Sequence, residues 1–477
     1  MPVSLLGDQP FENTPSLKAK ALRINLNENI YGTFAEIGAG QEVVRHFFRC
    51  GGASGTIAKT MSAYDKNFSD AIYGKGKSYV SEERLNKMLD LEIKHLEKRI
   101  SEEDRSKKIF FTYANTVTTI DFAKKFKGHG WMGIKFQTEP NGPYSMISTH
   151  LRFHEINARS QQESVGVVGV NLIYGAFYQH DRPRKMLRYL FDHIDKTAIE
   201  IDTINFTGPL FKDIDNRILS LELVKNGMTE AVMFGPDGNN LLPARVLYKK
   251  NIFAIRGSFR PVTNVNMDMF TSSSEMFYKD KDVNEENTLN IFEITLSNLM
   301  ANSTGFIDEQ DFMDRAKLLC AMGQTVMISN FKEYYRLVEY FSNYTSKKIR
   351  LSMGVSNLIE IFDEKYCRNL SGGILEAFGK LFFKNMLIYL YPMIDEKTGE
   401  IVNSTNLRVS AQMKELYKFF AYNKKVVDIS NYNKDYLNIY SKEVLLLISE
   451  GKKGWETMLP KKATELIKEK QLFGYQG

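Results

Sequence analysis

Residues 308–342, DEQDFMDRAKLLCAMGQTVMISNFKEYYRLVEYFS, decide the fold class. The stretch opens with an acidic first turn, carries apolar Phe312, Ala316 and Leu319 at helical spacing, and stops at Gly323, so a helix is predicted up to that glycine. TVMIS, at 325–329, is a short apolar run that suits a buried strand. Tyr334, Leu337, Val338 and Phe341 then return to helical spacing. Strands separated by helical crossovers of this length build a parallel sheet covered by helices.

The alternation extends in both directions. Towards the C-terminus, KIRLSMGV, MLIYLYPM and KVVDIS read as strands, and NLIEIFDEKY, GGILEAFGKLFF and AQMKELYKFFAY as helices. Upstream, KKIFFTYAN, WMGIKFQTE, SMISTHLRFHE, AIEIDTINF, EAVMFG and NIFAIRGSF are strand candidates. TTIDFAKKFKG is expected as a short helix ending at Gly128, and SQQESVGVVGVNLIYGAFY and RPRKMLRYLFDHI as further helices. The predicted fold is α/β, two halves with mostly parallel sheets covered by helices. The expected organisation is a glycine-rich and helical N-terminal region over 1–105, a first α/β half over 106–275 and a second over 276–477. The polar run TSSSEMFYKDKDVNEENT, 271–288, serves as the boundary or a long loop.

Composition bounds the function. The 477 residues are 43% hydrophobic and 25% charged, the balance of a folded globular protein, and a net charge of +6 over this length does not call for nucleic acid. Cys50, Cys320 and Cys367 are scattered without a CxxC pair, which argues against a disulfide scaffold or a cysteine zinc site. The start lacks a basic, apolar leader and no run of about 18 apolar residues occurs. A cytoplasmic protein without membrane contact is expected.

Three stretches are candidates for chemistry. In the first, a strand runs into Gly38-Ala39-Gly40 and a helix begins near Gln41, but Val43 stands where a dinucleotide fingerprint needs its third glycine, although Asp65 lies at about the distance of a ribose-binding acid. RCGGASGT, 49–56, fails as a P-loop because Gly51, Gly55 and Lys59 are misplaced. Gly51 and Gly52 either form an anion nest or cap one helix before a second helix begins at Ser54 or Thr56.

The second stretch is THLRFHE. As a strand it sets His150, Arg152 and His154 on one face, suited to holding an anion through Arg152 while His150 or His154 moves a proton. The alternative is the polar side of an edge strand. The third is AIRGSFRPVT, which places Arg256, Ser258 and Arg260 where a strand leaves the sheet, either for a ligand or for pairing with surface acids. His129, between a predicted helix and a strand, is read as a loop residue on the edge opposite the binding edge.

NIYGTFAEIGAGQEV, HFFRCGGASGTIAKTMSAYD, QTVMISNFKEYYRLVEY and GGILEAFGKLF together resemble a largely uncharacterised bacterial cytosolic family of about this length, and the resemblance covers nearly the whole chain. Its members carry labels such as nicotinate-nucleotide adenylyltransferase or TonB-dependent receptor. The receptor label conflicts with the helical crossovers, which a transmembrane barrel lacks. The adenylyltransferase label implies HxGH and STxxR motifs. Ser148, Thr149 and Arg152 spell the second, but no HxGH precedes them, and Gly128-His129 is only some twenty residues away.

The resulting expectation is an α/β protein that binds an anionic small molecule, a nucleotide or phosphorylated metabolite, with a transferase as the enzymatic option. His150 and His154 are the catalytic candidates; Arg152, Arg256, Ser258, Arg260, Gly38, Gly40, Gly51 and Gly52 are the ligand-binding ones. No metal or particular cofactor is indicated, and a homo-oligomer is possible. The alternative is a noncatalytic, self-assembling scaffold, which an aromatic content of 12% permits.

Overall fold

A computed structural model describes residues 14–124, 127–300, 306–383 and 385–476. The chain divides into two compact units, Met1–Thr229 and Glu230–Gly477. The expected boundaries near 105 and 275 are therefore displaced, for reasons visible in the pairing.

In the first unit the strands β1 (Ile30–Gly38), β2 (Ile57–Met61), β3 (Ile109–Thr118), β4 (His129–Phe136), β5 (Ser145–Phe153) and β6 (Ile199–Thr207) form one sheet in the order β2-β1-β3-β4-β5-β6. Because β1 and β2 pair in parallel beside β3, the first hundred residues share a sheet with β3 to β6 and are not a separate region. From β3 to β6 the ladders are antiparallel.

Helices α1 (Leu17–Asn25), α2 (Glu42–Cys50), α3 (Lys66–Tyr73), α4 (Glu82–Glu97) and α5 (Ala158–Tyr178) belong to this unit. α2 buries Val43, Val44 and Phe47, and it meets α5 at Gly169, where an added Cβ would lie 2.4 Å from Val43 Cγ2. The glycines of SVGVVGV thus permit close helix approach. α4 covers the opposite face with Leu85, Met88 and Leu89. Gly51 and Gly52 do end α2 in the positive-φ region, at 79° and 75°. The expected second helix is replaced by one turn, Ala53–Gly55, and then by β2.

The helix expected over TTIDFAKKFKG is absent from its described part, 118–124 and 127–128. Thr118 still belongs to β3, Phe122 is exposed, and Lys124 has a φ of 54°, so this segment has neither an apolar face to bury nor a helical backbone. At Gly32 in β1, an added Cβ would fall 2.2 Å from the Phe111 ring and 2.5 Å from the Phe111 carbonyl oxygen. Gly32→Ala is therefore expected to destabilise the first unit by about 1–3 kcal/mol, seen as a lowered urea midpoint with an unchanged slope.

The second unit holds β7 (Ala231–Phe234), β8 (Asn240–Leu241), β9 (Asn251–Arg256), β10 (Thr288–Thr295), β11 (Thr325–Ser329), β12 (Ile349–Gly354), β13 (Met386–Tyr391) and β14 (Val426–Asp428), in the order β14-β13-β12-β9-β10-β11-β7-β8. From β14 to β11 every ladder is parallel, and β7 and β8 add an antiparallel edge. TVMIS, IRLSM and LIYLY are strands of this one sheet, the last two adjacent, and TVMIS and IRLSM are buried throughout.

The helices used below are α6 (Asn264–Tyr278), α7 (Glu309–Ala321), α8 (Tyr334–Ser342), α9 (Val355–Ile361) and α10 (Gly373–Leu381). The polar run at 271–278 is not a linker but the second half of α6. Its serines 272–274 are buried, and Ser273 Oγ lies 2.8 Å from Ser352 Oγ of β12, so the hydroxyls are satisfied inside the unit.

Candidate functional sites

In the second unit the carboxyl ends of β9, β10 and β12 open on a cavity of about 440 Å³. Ligands of parallel α/β sheets bind at this edge. Arg256, Ser258, Asn298, Lys332, Tyr334 and Asn357 supply its polar wall, and Phe378 and Leu381 of α10 an apolar one.

Arg256 makes a two-point ion pair with Glu293 of β10, Nε to Oε2 at 2.8 Å and Nη2 to Oε1 at 2.9 Å, and donates through Nη1 to the Lys332 carbonyl at 3.1 Å. Its guanidinium stacks on the Tyr334 ring at 4.2 Å. Glu293 is fully buried and also accepts from Ser329 Oγ at 2.6 Å. The charge of Arg256 is thus matched inside the wall, and Lys332, which is exposed, is the other cation of the lining. Glu333 and Glu360 line the same cavity. Burial pushes the Tyr334 hydroxyl up to about 12, so it stays protonated, and it accepts from Asn357 Nδ2 at 3.1 Å.

Ser258 of AIRGSFRPVT lines the cavity. Arg260 instead pairs with Asp311 of α7. Asp311 is shared with Arg315, a fully buried arginine whose Nη1 donates to the carbonyls of Ser258 at 3.1 Å and Asn298 at 3.2 Å. Arg315 therefore ties the loop leaving β9 to the helical turn Leu296–Met300 that follows β10, both of which line the cavity.

In the first unit, Gly38 and Gly40 lead into α2 as the fingerprint reading requires, but their setting is self-contained. Gly40 packs on Asn115, whose Nδ2 donates to the Gly40 carbonyl at 3.0 Å, and the Gly38 carbonyl accepts from Gln41. The N–H of Val44 at the start of α2 points at 3.3 Å to Oε1 of Glu36, with the Val43 N–H beside it. The group at this helix terminus is the chain's own carboxyl, which burial pushes up to about 8 and so keeps protonated at neutral pH. Gly51 and Gly52 serve as the C-terminal stop of α2. Asp65 caps α3 by accepting from the Phe68 N–H at 2.8 Å.

THLRF closes β5 and His154 and Glu155 follow it; the three basic residues meet two acids of β6. His150 is buried and bonds through Nδ1 to Asp202 Oδ1 at 2.7 Å. Arg152 pairs with Glu200 at 3.2 Å and His154 approaches the same carboxylate at 3.5 Å. Burial opposes ionisation of Glu200, yet hydrogen bonds from His154 and Thr229 and the charge of Arg152 outweigh it and hold the carboxyl below its ordinary value. Ser148 lies on the His150 face, whereas Thr149 bonds across to the Thr203 carbonyl at 2.9 Å, so STxxR is divided between two faces.

His129 corrects the loop expectation. It is the first residue of β4, opposite Thr118 and Arg152, and its Nδ1 lies 3.1 Å from His150 Nε2. A parallel crossover would have put it at the far edge, but β4 runs antiparallel to β3 and begins where β3 ends. Asp202, Glu36 and Glu293 went unnoticed as well. Each is an acid embedded in an apolar strand, AIEIDTINF, FAEIG and IFEIT, and that pattern could have marked them as buried carboxyl groups in need of partners.

Among the described residues no group of three or more His, Cys, Asp or Glu is placed to hold a metal ion, and no helix is long and apolar enough to cross a membrane. The fold and these sites define an α/β protein of two sheet-centred units.

No protein-family model matches the chain, and no curated protein matches it. It is similar to solved structures of competence-damage proteins. A competence/damage inducible protein CihA from Agrobacterium tumefaciens is 15% identical, with 34% of this chain and 94% of that one covered at a TM-score of 0.25. The CinA superfamily protein from Enterobacter cloacae is 9% identical, over 36% and 98%, with a TM-score of 0.26. Its counterpart from Escherichia coli is 12% identical, over 38% and 94%, with a TM-score of 0.25.

Proposed function

We propose that the second unit binds a small metabolite carrying one anionic group, a carboxylate or monophosphate, joined to an apolar or ring-shaped body. The cavity at the carboxyl edge of β9, β10 and β12 carries this reading. Lys332 and the Ser258 hydroxyl receive the anion, and Phe378, Leu381 and the Tyr334 region receive the body. Glu333 and Glu360 set the charge limit: with Arg256 spent on Glu293, a polyanion such as a triphosphate meets two carboxylates and one available lysine. The expected ligand is thus a phosphorylated or carboxylated metabolite of low charge.

A ligand that binds only the folded state raises the unfolding free energy by about 2.7 kcal/mol at a hundredfold excess over Kd. Thermal unfolding with a panel of sugar monophosphates, nucleoside monophosphates and carboxylic acids is expected to give at least one raised Tm. Lys332→Ala is expected to weaken the effective ligand about tenfold or more, since a charge-assisted hydrogen bond contributes about 1.5–3 kcal/mol. An unmoved Tm across the panel, or a shift that Lys332→Ala leaves intact, would overturn the assignment.

A further inference from the structure

We propose that Asp202, His150 and His129 form a hydrogen-bonded relay in the first unit that offers the outer imidazole nitrogen, His129 Nε2, as a proton acceptor to a protic molecule, water or an alcohol. The inference is independent of the cavity in the second unit.

The direction of the relay follows from donors and acceptors. A carboxylate only accepts, so the 2.7 Å contact fixes the proton of neutral His150 on Nδ1. His150 Nε2 then carries a lone pair, and the 3.1 Å contact must be donated by His129 Nδ1–H. One nitrogen remains, His129 Nε2, and it is bare. The β5–β6 ladder shifts register between His150 and Leu151, and this irregularity brings Asp202 alongside His150. Irregularities of this kind re-aim side chains next to functional sites. Among the described residues no hydrogen bond reaches the buried Asp202 Oδ2, Ser148 Oγ or Thr203 Oγ1, so none of them supplies a second donor to dilute the pull of the carboxylate on His150. Trp131 packs on the His150 ring at 5.1 Å and holds its orientation.

The chemistry balances within the chain. The O–H bond of the bound molecule breaks as its proton passes to His129 Nε2, and the electron pair stays on oxygen. The His129 Nδ1 proton moves to His150 Nε2, so the positive charge comes to rest on His150 beside Asp202. Arg152, opposite His129 in the β4–β5 register, stays paired with Glu200 and keeps its positive charge near the site. The charged and titratable groups around His129 are His150 and Arg152 on β5, with Asp202 and Glu200 behind them on β6. Burial, then His150 and Arg152, pushes His129 down to about 4, which leaves its lone pair free at neutral pH.

Diethyl pyrocarbonate, which attacks unprotonated imidazole nitrogens, tests the bare nitrogen on the full chain. Mapped by mass spectrometry, His129 is expected to be modified at a rate that changes less than about twofold between pH 5.5 and 7.5. A histidine in a short reference peptide added to the same reaction should speed up several-fold as it loses its proton near about 6.5. His150→Phe removes the acceptor of the His129 Nδ1 proton; burial still holds His129 low, so the pH profile should stay flat, while nitrogen-15 spectra should now show part of His129 as the Nε2–H tautomer. Protection of His129 in the wild type, a profile like that of the reference peptide, or an unchanged tautomer in His150→Phe would each overturn the relay. If His150→Phe does not fold, nitrogen-15 spectra of the wild type decide, with His129 expected as the Nδ1–H tautomer and an Nε2–H signal refuting it.

For the transfer itself, p-nitrophenyl acetate makes water the protic molecule. Hydrolysis by His129→Gln is expected to be at least about tenfold slower, as loss of a general base implies, and equal rates would remove the proton-accepting role.

Discussion

Arg256→Met is expected to destabilise the second unit by about 3–5 kcal/mol, the cost of leaving one member of a buried ion pair alone. The effect comes from what remains. Glu293 is fully buried, and without Arg256 the donor left to its carboxylate among the described residues is Ser329 Oγ at 2.6 Å. Methionine fills much of the volume of the arginine stem, so the loss isolates the charge rather than creating a cavity. Arg256→Lys should also be costly, because a lysine cannot make both the Nε and Nη2 contacts to Glu293 or stack flat on Tyr334. The double substitution Arg256→Met with Glu293→Leu is expected to recover much of the stability, since an apolar pair can replace a buried ionic one. Urea unfolding followed separately in the two units gives the values; a loss below about 1 kcal/mol for Arg256→Met would mean that Glu293 is solvated or otherwise paired.

Glu36→Gln is expected to stabilise the first unit at alkaline pH and to have little effect at pH 4–5. Burial pushes the Glu36 carboxyl up to about 8, and the N–H groups of Val43 and Val44 offset only part of that rise. The folded chain therefore holds a proton that the unfolded chain releases from its ordinary value of 4.5. Stability from this group is fully present below about pH 4.5 and is lost as the pH climbs to 8, by about 1.4 kcal/mol per pH unit at the steepest. Glutamine keeps an acceptor for the α2 N–H groups without the ionisation, so the variant should exceed the wild type by about 2–4 kcal/mol at pH 9. The measurement is the difference in unfolding free energy between the two proteins from pH 4 to 9, in which the other titrating groups cancel. A difference that stays flat over that range would show that Glu36 ionises normally.

The sequence marked Arg256 without its partner Glu293, and Glu36 only as part of an apolar strand, which shows where legibility stopped. Helical spacing in DEQDFMDRAKLLCAMG and FKEYYRLVEYFS, and the short runs TVMIS and IRLSM, are local properties, because each element buries one face or both according to its own period. They determined the α/β class and the parallel character of the second sheet. The turn from β1 into α2 through Gly38 and Gly40, the stop at Gly51-Gly52 and the common face of His150 and Arg152 were likewise readable, since backbone sterics and the two-residue period of a strand act within a few residues.

Partners across the sheet were not readable. Whether β4 runs with or against β3 depends on where the 119–128 segment brings the chain back, and that single choice moved His129 from the far edge to a position 3.1 Å from His150. The serines at 272–274 read as linker because hydroxyl groups look hydrophilic until a second strand supplies Ser352. Arg256 and Arg260 looked free for an anion because Glu293 and Asp311 stand 37 and 51 residues further along the chain. Local periodicity fixes which face a residue occupies, whereas the charge available to a ligand is what remains after long-range pairing, and only the tertiary structure sets that remainder.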